Sequence, residues 1–441
     1  MKKFKIIQIG GMLILFFMLG MVIPVSAHAQ VQNITLENGS TPQENSDYSD
    51  GDYYMVGDTG QFELSYTDSW WRGEIVKKEF QSSNPSVVRV DEEGNYVVLA
   101  GGQADIRVTG WNEQGEMVFQ ASCRFEVCSD VSKTTLKTSS IQAYLFPQDY
   151  SSYTTDEVTV PLVNAPDFTY YKMDYVTNNS SMGIICQFEP TKKAFVFKAY
   201  GTGTDTVTIT LNGKTFYVTV KVKEVKIKKT SALLIKKQSL KLTVKGYSGK
   251  IKWVSANKKV ATVSAKGTVR AKKTGNAVIY AKIGNHKLGC AVSVVTSKMK
   301  KVINKAKKIA KTCKYSQAKR MNAKYYDCSS LVWKSYRTVG KTFGNKNYAP
   351  VAADLAKWCK QHKKFIKGGA SDSNIQKMKL RPGDLLFQTG SDNGRYKGIY
   401  HVEMFVGYRC YGFYNNKPVL GTLWASRGEG YGTGAACMGR P

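Results

Sequence analysis

Short runs of alternating apolar and polar residues fill the chain between residue 30 and about residue 296. Two of them, residues 207–211 and 216–220, are separated by Asn212-Gly213 and flanking residues. Strict alternation predicts β-strands that bury one face, and Asn-Gly between two such runs is a strong hairpin signal. The region is therefore predicted to be all-β.

One pattern recurs in this β region. Its first copy begins at Ser83-Asn84-Pro85-Ser86 and ends at residue 108, the clearest copy covers residues 253–280, and a weaker copy keeps only residues 201–207. The repeats resemble bacterial immunoglobulin-like (Ig-like) domains of group 2, which implies small β-sandwiches of about 80–100 residues. The expected domains are 30–128, 129–223 (divergent) and 224–296.

These β domains carry no catalytic cluster, metal-ligand spacing or carboxylate pair. Spacing or surface adhesion is their expected role, and no cofactor or metal is expected. Trp70-Trp71 is a candidate carbohydrate platform, because flat aromatic faces stack on sugars. Packing inside or between domains is the preferred explanation for this pair.

The apolar period changes from two to about 3.6 at residue 297. Residues 299–312 repeat apolar side chains at helical spacing among lysines, and Asp327 is an N-cap candidate for a helix that runs from Cys328 to about Val339. Later come a tight turn at 380–384 and alternating strand-like runs at 385–387 and 401–407. Helices followed by antiparallel strands predict an α+β domain over 297–441.

Cys328 and one histidine are the parts of a cysteine-nucleophile site. A thiol in the first turn of a helix meets unpaired N–H groups and the helix dipole, which lower its pKa. Alone, such a cysteine is more often a small buried residue. Of the four histidines, His28 lies in a predicted leader, His286 in the β region and His362 on a lysine-rich polar stretch. His401, bracketed by apolar residues, is therefore the candidate base.

Three motifs in order, D-C-S-S-L-V (327–332), L-R-P-G-D-L-L-F (380–387) and H-V-E-M-F-V-G (401–407), resemble the NlpC/P60 family of cell-wall cysteine peptidases. The resemblance implies a papain-like fold with Cys328 as nucleophile and His401 as base. It implies an oxyanion site at the Cys328 N–H, with Tyr315 as the candidate substrate-binding partner. It also implies cleavage of peptidoglycan stem peptides between D-glutamate and a diamino acid.

The sequence departs from the family pattern in two places. Ser330 stands where glycine is commoner. The family's third polar residue, which orients the base, is usually a histidine on the strand after the base strand. Trp424 lies nearest that position here but can only donate, whereas an imidazolium needs an acceptor. Thr422, Ser426 or a backbone carbonyl are the substitutes left open, and Asp384 is expected to cap backbone.

Residues 1–29 read as a secretory signal, with three early lysines, an apolar stretch and Ala27-His28-Ala29 as the cleavage site. A retained membrane anchor is the alternative. All nine cysteines follow this segment, and an odd number in an exported protein leaves at least one unpaired or joined to another chain. Cys123 and Cys128 are not expected to bond each other, since their spacing along a strand points them to opposite faces.

The net charge of +31 is concentrated in one stretch: residues 221–320 contain 29 Lys/Arg and the single acid Glu224. Residues 30–128 contain 17 acids and 6 basic residues, a net of −11. A basic block on an exported protein favours polyanions such as wall teichoic acids or anionic lipids, and nucleic acid is not expected outside the cell. A solvated lysine surface without a dedicated ligand is an equal alternative.

Together these features predict an exported peptidoglycan hydrolase, active at the cell wall of a Gram-positive bacterium. The main alternative is a surface adhesion or wall-binding protein whose papain-like domain no longer turns substrate over. A third possibility is a related enzyme that cleaves an amide outside the wall.

Overall fold

The computed structural model describes residues 5–9, 12–16, 30–36, 53–66, 76–426, 428–430 and 437–441. Trp70-Trp71 and most of the predicted signal, with its cleavage site, lie outside these residues. Within the signal, β1 (Lys5–Ile9) pairs antiparallel with β2 (Met12–Phe16). The chain divides into two compact units: residues 1–143 with 154–223, and residues 144–153 with 224–441.

The first unit begins with a sandwich of two sheets. Val88, Ile106 and Phe125 are fully shielded from solvent in its core, as the alternating pattern of their strands predicts. The sheets have the orders β3-β4-β7-β6 and β5-β8-β9. Their strands are β3 (Gln30–Leu36), β4 (Thr59–Tyr66), β5 (Lys77–Ser82), β6 (Val88–Val90), β7 (Asn95–Val98), β8 (Gly102–Trp111) and β9 (Met117–Val127).

A second pair of four-stranded sheets follows, with the orders β10-β12-β15-β14 and β11-β17-β16-β13. The hairpin predicted from Asn212-Gly213 joins β16 to β17, and both turn residues have positive φ, 47° and 78°. The strands are β10 (Thr135–Leu136), β11 (Ser140–Leu145), β12 (Val158–Val163), β13 (Met173–Val176), β14 (Ile185–Glu189), β15 (Ala194–Lys198), β16 (Gly203–Leu211) and β17 (Lys214–Glu224).

The second unit contains the basic sandwich. Its larger sheet has the order β19-β26-β25-β22, its smaller sheet the order β20-β24-β23, and β18 pairs with β21. Most of the chain outside its C-terminal third is thus β-sandwich. The strands are β18 (Lys226–Ile227), β19 (Ser231–Ile235), β20 (Ser239–Lys241), β21 (Val244–Lys245), β22 (Lys252–Ser255), β23 (Ala261–Val263), β24 (Thr268–Ala271), β25 (Gly275–Ile283) and β26 (His286–Val295).

The C-terminal region places its helices before most of its strands, as predicted. The helices are α1 (Ser297–Thr312), α2 (Cys328–Arg337), α3 (Ala352–Gln361) and α4 (Asp372–Gln376). The strands are β27 (Lys314–Tyr315), β28 (Tyr325–Tyr326), β29 (Leu385–Thr389), β30 (Ile399–Tyr414), β31 (Lys417–Trp424), β32 (Gly428–Gly430) and β33 (Cys437–Gly439).

Five of these strands form one antiparallel sheet, β32-β31-β30-β29-β33. The apolar faces of α1, α2 and α3 pack on one side of it in a single core that includes Val402 and Met404. The opposite side presents Phe405 and Tyr408, which share a buried cluster with Ala291 of the basic sandwich. The sheet therefore lies between helices α1–α3 and the sandwich.

The basic sandwich and the C-terminal region are joined by close contacts. Gly289 of β26 packs on Cys410 of β30 so tightly that a Cβ at this glycine would lie 2.5 Å from the Cys410 Sγ. The Asn276 side chain donates to two backbone carbonyls, those of Met378 (2.9 Å) and Leu380 (2.7 Å). Residues 224–441 consequently form one compact body.

The segment 144–153 also belongs to this body. His286, buried in the basic sandwich, stacks on Phe146 with ring centroids 3.9 Å apart, and its Nδ1 lies 2.8 Å from Asp149 Oδ2. These contacts account for His286 as a packing residue.

All nine cysteines lie among the described residues, and each is a free thiol there. Cys123 and Cys128 are accordingly unbonded, as expected. Among the described helices, none has both the length and the apolar character needed to cross a bilayer.

Candidate active site

Helix α2 begins with a reciprocal cap that fixes the position of Cys328. The Asp327 carboxylate accepts from the Ser330 N–H (2.7 Å), and the Ser330 hydroxyl accepts from the Asp327 N–H (2.9 Å). Ser330, which stands where the family more often has glycine, thus supplies half of a capping box. Cys328 is the first helical residue and is partly exposed.

Arg320 holds the same helix start from the loop that precedes it. This side chain is 7% exposed, and its Nε lies 3.2 Å from Asp327 Oδ2. Its Nη2 donates to the Ser329 hydroxyl (2.8 Å) and to the carbonyls of Ala349 (2.9 Å) and Pro350 (3.0 Å). A buried guanidinium with this many acceptors ties the first turn of α2 to the 349–350 segment. Sequence reasoning did not identify it.

Two very short strands place Tyr315 beside the thiol. The parallel pairing of β27 with β28 aligns Tyr315 with Tyr326, two residues before Cys328, and their rings meet edge to face at 5.5 Å. The Tyr315 hydroxyl lies within hydrogen-bonding reach of both the backbone N–H and the thiol of Cys328. The ring is 55% exposed, so a ligand can reach it.

His401 approaches Cys328 from strand β30. A β-bulge beside Gln388 and Thr389 interrupts the pairing of β29 with β30 next to His401. The imidazole and the Val402 N–H both lie within hydrogen-bonding reach of the Cys328 thiol. Cys328, His401 and Tyr315 are thus brought together, although their catalytic roles remain predictions.

Glu403 lies on the same face of β30 as His401, because side chains two residues apart on a strand point the same way. Its carboxylate is 5% exposed, and Oε1 lies 3.8 Å from the His401 Nε2, within ion-pair range but longer than a direct hydrogen bond. Glu403 can therefore supply the negative charge that an imidazolium needs. The sequence interpretation missed it, and the two-residue spacing His401-x-Glu403 was the available signal.

The pKa values of the pair shift toward the charged forms. Burial alone would raise the pKa of the Cys328 thiol, but the hydrogen bonds from His401 and the Val402 N–H outweigh it, and the pKa is lowered. The Cys328 thiol, and then Glu403, raise the pKa of His401 to about 9. A lowered thiol pKa and a raised imidazole pKa both favour a thiolate next to an imidazolium, the reactive form of a cysteine nucleophile.

Two of the residues considered for the third position bond each other. The Trp424 indole N–H donates to the Thr422 hydroxyl (2.9 Å), and its ring packs on Phe405 at 5.6 Å, on the face toward the basic sandwich. Ser426 is exposed in the turn after β31. Thr422, Ser426 or a backbone carbonyl stay open as the group that orients His401, and the Glu403 carboxylate on β30 is a further candidate.

His362 and Asp384 are placed as predicted. His362 is exposed at the end of α3, where its Nδ1 lies 2.8 Å from the Trp358 carbonyl. Asp384 is buried and accepts from the Arg381 N–H (2.7 Å) in the predicted turn. It also accepts from Arg440 Nε and Nη2, each at 2.8 Å, which makes it structural. Among the described residues, no cluster of three or more potential metal ligands occurs.

Comparison with known proteins identifies one domain. Residues 221–292 match the family of bacterial Ig-like domains of group 2. This match covers the strongest of the sequence repeats and most of the basic sandwich. No curated protein matches the chain.

Several solved structures are distantly similar. Invasin, titled a bacterial integrin-binding protein, is 11% identical with a TM-score of 0.28, covering 52% of this chain and 54% of invasin. A C-terminal intimin fragment, in complex with the intimin-binding domain of its translocated receptor, is 12% identical (TM-score 0.25; 54% and 84% covered). The surface-layer protein SbsC, domains 4–9, is 13% identical (TM-score 0.16; 51% and 40% covered).

The chain spans about half the length of the invasin structure. Similarities at these TM-scores carry no argument about function. The family match supports one Ig-like domain and lends no support to an NlpC/P60 domain, which rests on its motifs. They establish that the chain contains a bacterial Ig-like domain of group 2 at residues 221–292.

Proposed function

We propose that the chain is an exported cysteine peptidase of the NlpC/P60 type that hydrolyses amide bonds in peptidoglycan stem peptides. The observation that carries the proposal is the juxtaposition of Cys328 and His401, with the Glu403 Oε1 3.8 Å from the His401 Nε2. A cysteine that only fills space at a helix start has no need of a lowered thiol pKa or of a charged partner. Functional sites, by contrast, concentrate such shifts.

In the first half-reaction, the Cys328 thiolate attacks the amide carbonyl carbon and forms a C–S bond. The carbonyl oxygen becomes an oxyanion, for which the Cys328 N–H and the Tyr315 hydroxyl are the nearby donors. His401 then gives its proton to the leaving nitrogen as the C–N bond breaks. The amine departs and a thioester remains on Cys328.

In the second half-reaction, neutral His401 takes a proton from water, whose oxygen attacks the thioester carbon. The C–S bond breaks, the acid product leaves and the thiolate–imidazolium pair is restored. Glu403 stabilises the imidazolium at both stages without accepting its proton. No cofactor enters this scheme.

The substrate assignment rests on the motif resemblance. It specifies the bond between D-glutamate and a diamino acid. The exposed rings of Tyr315 and Tyr400, each more than half exposed beside the catalytic pair, offer apolar contact for such a peptide. Export through residues 1–29 and residence at a Gram-positive cell wall belong to the same proposal.

A second candidate function is a surface-binding or adhesion protein whose C-terminal domain is not catalytic. The comparisons favour this candidate over the enzyme, because the matched family is a bacterial Ig-like domain. In this case the Ig-like sandwiches carry the function. The Cys328–His401 pair then has no catalytic role.

One experiment separates the two candidates. Purified wild type, Cys328→Ala and His362→Ala are incubated with sacculi from several Gram-positive species, and the released fragments are identified by mass spectrometry. The peptidase proposal predicts stem-peptide fragments from wild type and His362→Ala only. If all three release the same profile while all three sediment with the sacculi, the enzyme proposal fails and the binding protein stands.

A further inference from the structure

Positively charged side chains line a groove between α1 and α2, away from the Cys328 thiol. It has a volume of 500 Å³, and its lining includes four cations and no carboxylate: Lys305, Lys308, Lys334 and Arg337. Arg337 lies nine residues along α2 from Cys328, a rise of roughly 14 Å at 1.5 Å per residue. The groove is therefore a separate feature from the catalytic pair.

Helix α1 supplies one wall of the groove. Its 16 residues include seven lysines and no acid. Lys301, Lys305 and Lys308 follow one another at spacings of four and three, so they form one row on the helix surface. Like charges at these spacings repel each other, and no side chain of α1 offsets that repulsion. A bound anion would relieve it.

Helix α2 supplies the other wall with side chains that are already held in place. The Lys334 ammonium donates to the carbonyls of Asn322 and Tyr325, both at 2.7 Å, and an ammonium has a third N–H to give. Partial burial lowers the Lys334 pKa, against smaller opposing effects of Cys313 and Asp327. The Arg337 guanidinium lies over the Trp333 ring at 4.4 Å, which leaves its N–H edge available.

We propose that this groove binds a segment of a phosphate-bearing polymer. Donors approach from two opposing helices, so the ligand needs acceptor oxygens that point in several directions. A tetrahedral phosphate provides them, whereas a carboxylate offers two oxygens in one plane. A concave groove admits a flexible chain and excludes the flat surface of a membrane. This inference is independent of the peptidase proposal.

The test uses the full chain with the Cys328→Ala substitution, so that binding is measured without turnover. The groove variant is Lys305→Gln/Lys308→Gln/Arg337→Gln. Its charge-matched control is Lys258→Gln/Lys259→Gln/Lys273→Gln, three exposed lysines on turns of the basic sandwich. Binding to soluble inorganic polyphosphate, to poly-L-glutamate and to vesicles with anionic phospholipid is measured by titration across a salt series. Thermal unfolding checks that both variants remain folded.

We expect the groove variant to lose at least about tenfold in polyphosphate affinity, with the slope of log K against log salt reduced by about two to three. The control should keep most of the affinity, and poly-L-glutamate and vesicles should bind more weakly than polyphosphate. Equal losses in the two variants would mean that only the overall charge attracts the polymer. That result, equal binding of poly-L-glutamate or vesicles, or no polyphosphate binding at all, overturns the proposal.

Discussion

Replacing Glu403 by glutamine removes one negative charge beside His401 and leaves the shape of the side chain unchanged. Glu403 is 5% exposed, and its Oε1 lies 3.8 Å from the His401 Nε2. If this carboxylate stabilises the imidazolium, Glu403→Gln should lower the pKa of His401. The pKa of the Cys328 thiol should move less.

The geometry gives the size of the effect. Two unit charges 3.8 Å apart interact by about 4 kcal/mol at an effective dielectric constant of ~20 and by about 1 kcal/mol in bulk water. One pKa unit corresponds to about 1.4 kcal/mol. His401 is 26% exposed, and Cys328 contributes more than Glu403 to the raised pKa of about 9. We therefore expect a fall of about one unit, to a pKa of about 8.

The assay is the NMR titration of the histidine ring protons, which is tractable because the chain has only four histidines. His401→Gln identifies the signal. Asp354→Asn, an exposed carboxylate in the first turn of α3, is the matched control for loss of one negative charge. In parallel, the pH dependence of hydrolysis should show its alkaline limb moving down by the same amount, since activity is lost as His401 deprotonates.

An unchanged His401 pKa in Glu403→Gln would refute the assignment of Glu403 as the group that stabilises the base. An equal fall in Asp354→Asn would also refute it, because the effect would then come from the general field of the protein. Loss of hydrolysis without any change in the His401 pKa would indicate a packing role for Glu403.

Three further outcomes are expected. Iodoacetamide at mildly acidic pH should label Cys328 before Cys128, Cys290, Cys359 and Cys410, because burial raises the pKa of each of these four thiols to about 12. Peptide mass spectrometry identifies the labelled cysteine. Labelling of Cys313 or Cys410 first would contradict this prediction. His401→Ala and Cys328→Ala should each abolish hydrolysis of sacculi, and the double variant should be no slower, since the two act as one unit; an active His401→Ala beside an inactive His362→Ala would reverse the assignment of the base. Ser330→Ala should lower the free energy of unfolding by about 1 kcal/mol in a urea titration, because the capping box is lost. The control is Ser335→Ala, whose hydroxyl bonds the Leu331 carbonyl within the helix. An effect of Ser330→Ala no larger than that of the control would contradict the prediction.

Local patterns predicted much of this structure because the forces behind them act over a few residues. Asp327 before an amphipathic run predicted the start of α2 at Cys328, and the structure places it there. The end was predicted near Val339 and lies at Arg337, since the Thr338 N–H bonds the Ser335 carbonyl three residues back instead of continuing the α-helical pattern. Alternation likewise predicted the hairpin at Asn212-Gly213.

One of the missed features, Arg320, depends on contacts between distant segments. The contribution of Arg320 requires the 349–350 segment to fold back onto the start of α2. Glu403 was within reach of sequence reasoning, since a strand places residues 401 and 403 on one face. The family resemblance instead places the orienting residue on the next strand. Alternation also could not show which sheet face of the C-terminal region meets the basic sandwich, because both faces are apolar.

The packing of Gly289 on Cys410 has a consequence for how this chain can be taken apart. A repeat with an independent fold can be duplicated, deleted or exchanged by recombination at its linkers. The basic sandwich has lost that freedom, since its removal would expose Phe405 and Tyr408 and leave the carbonyls of Met378 and Leu380 without the Asn276 amide. The smallest transferable piece that contains Cys328 is therefore residues 224–441 supplied with the 144–153 segment, and grafting residues 297–441 alone onto another protein should yield an aggregating fragment.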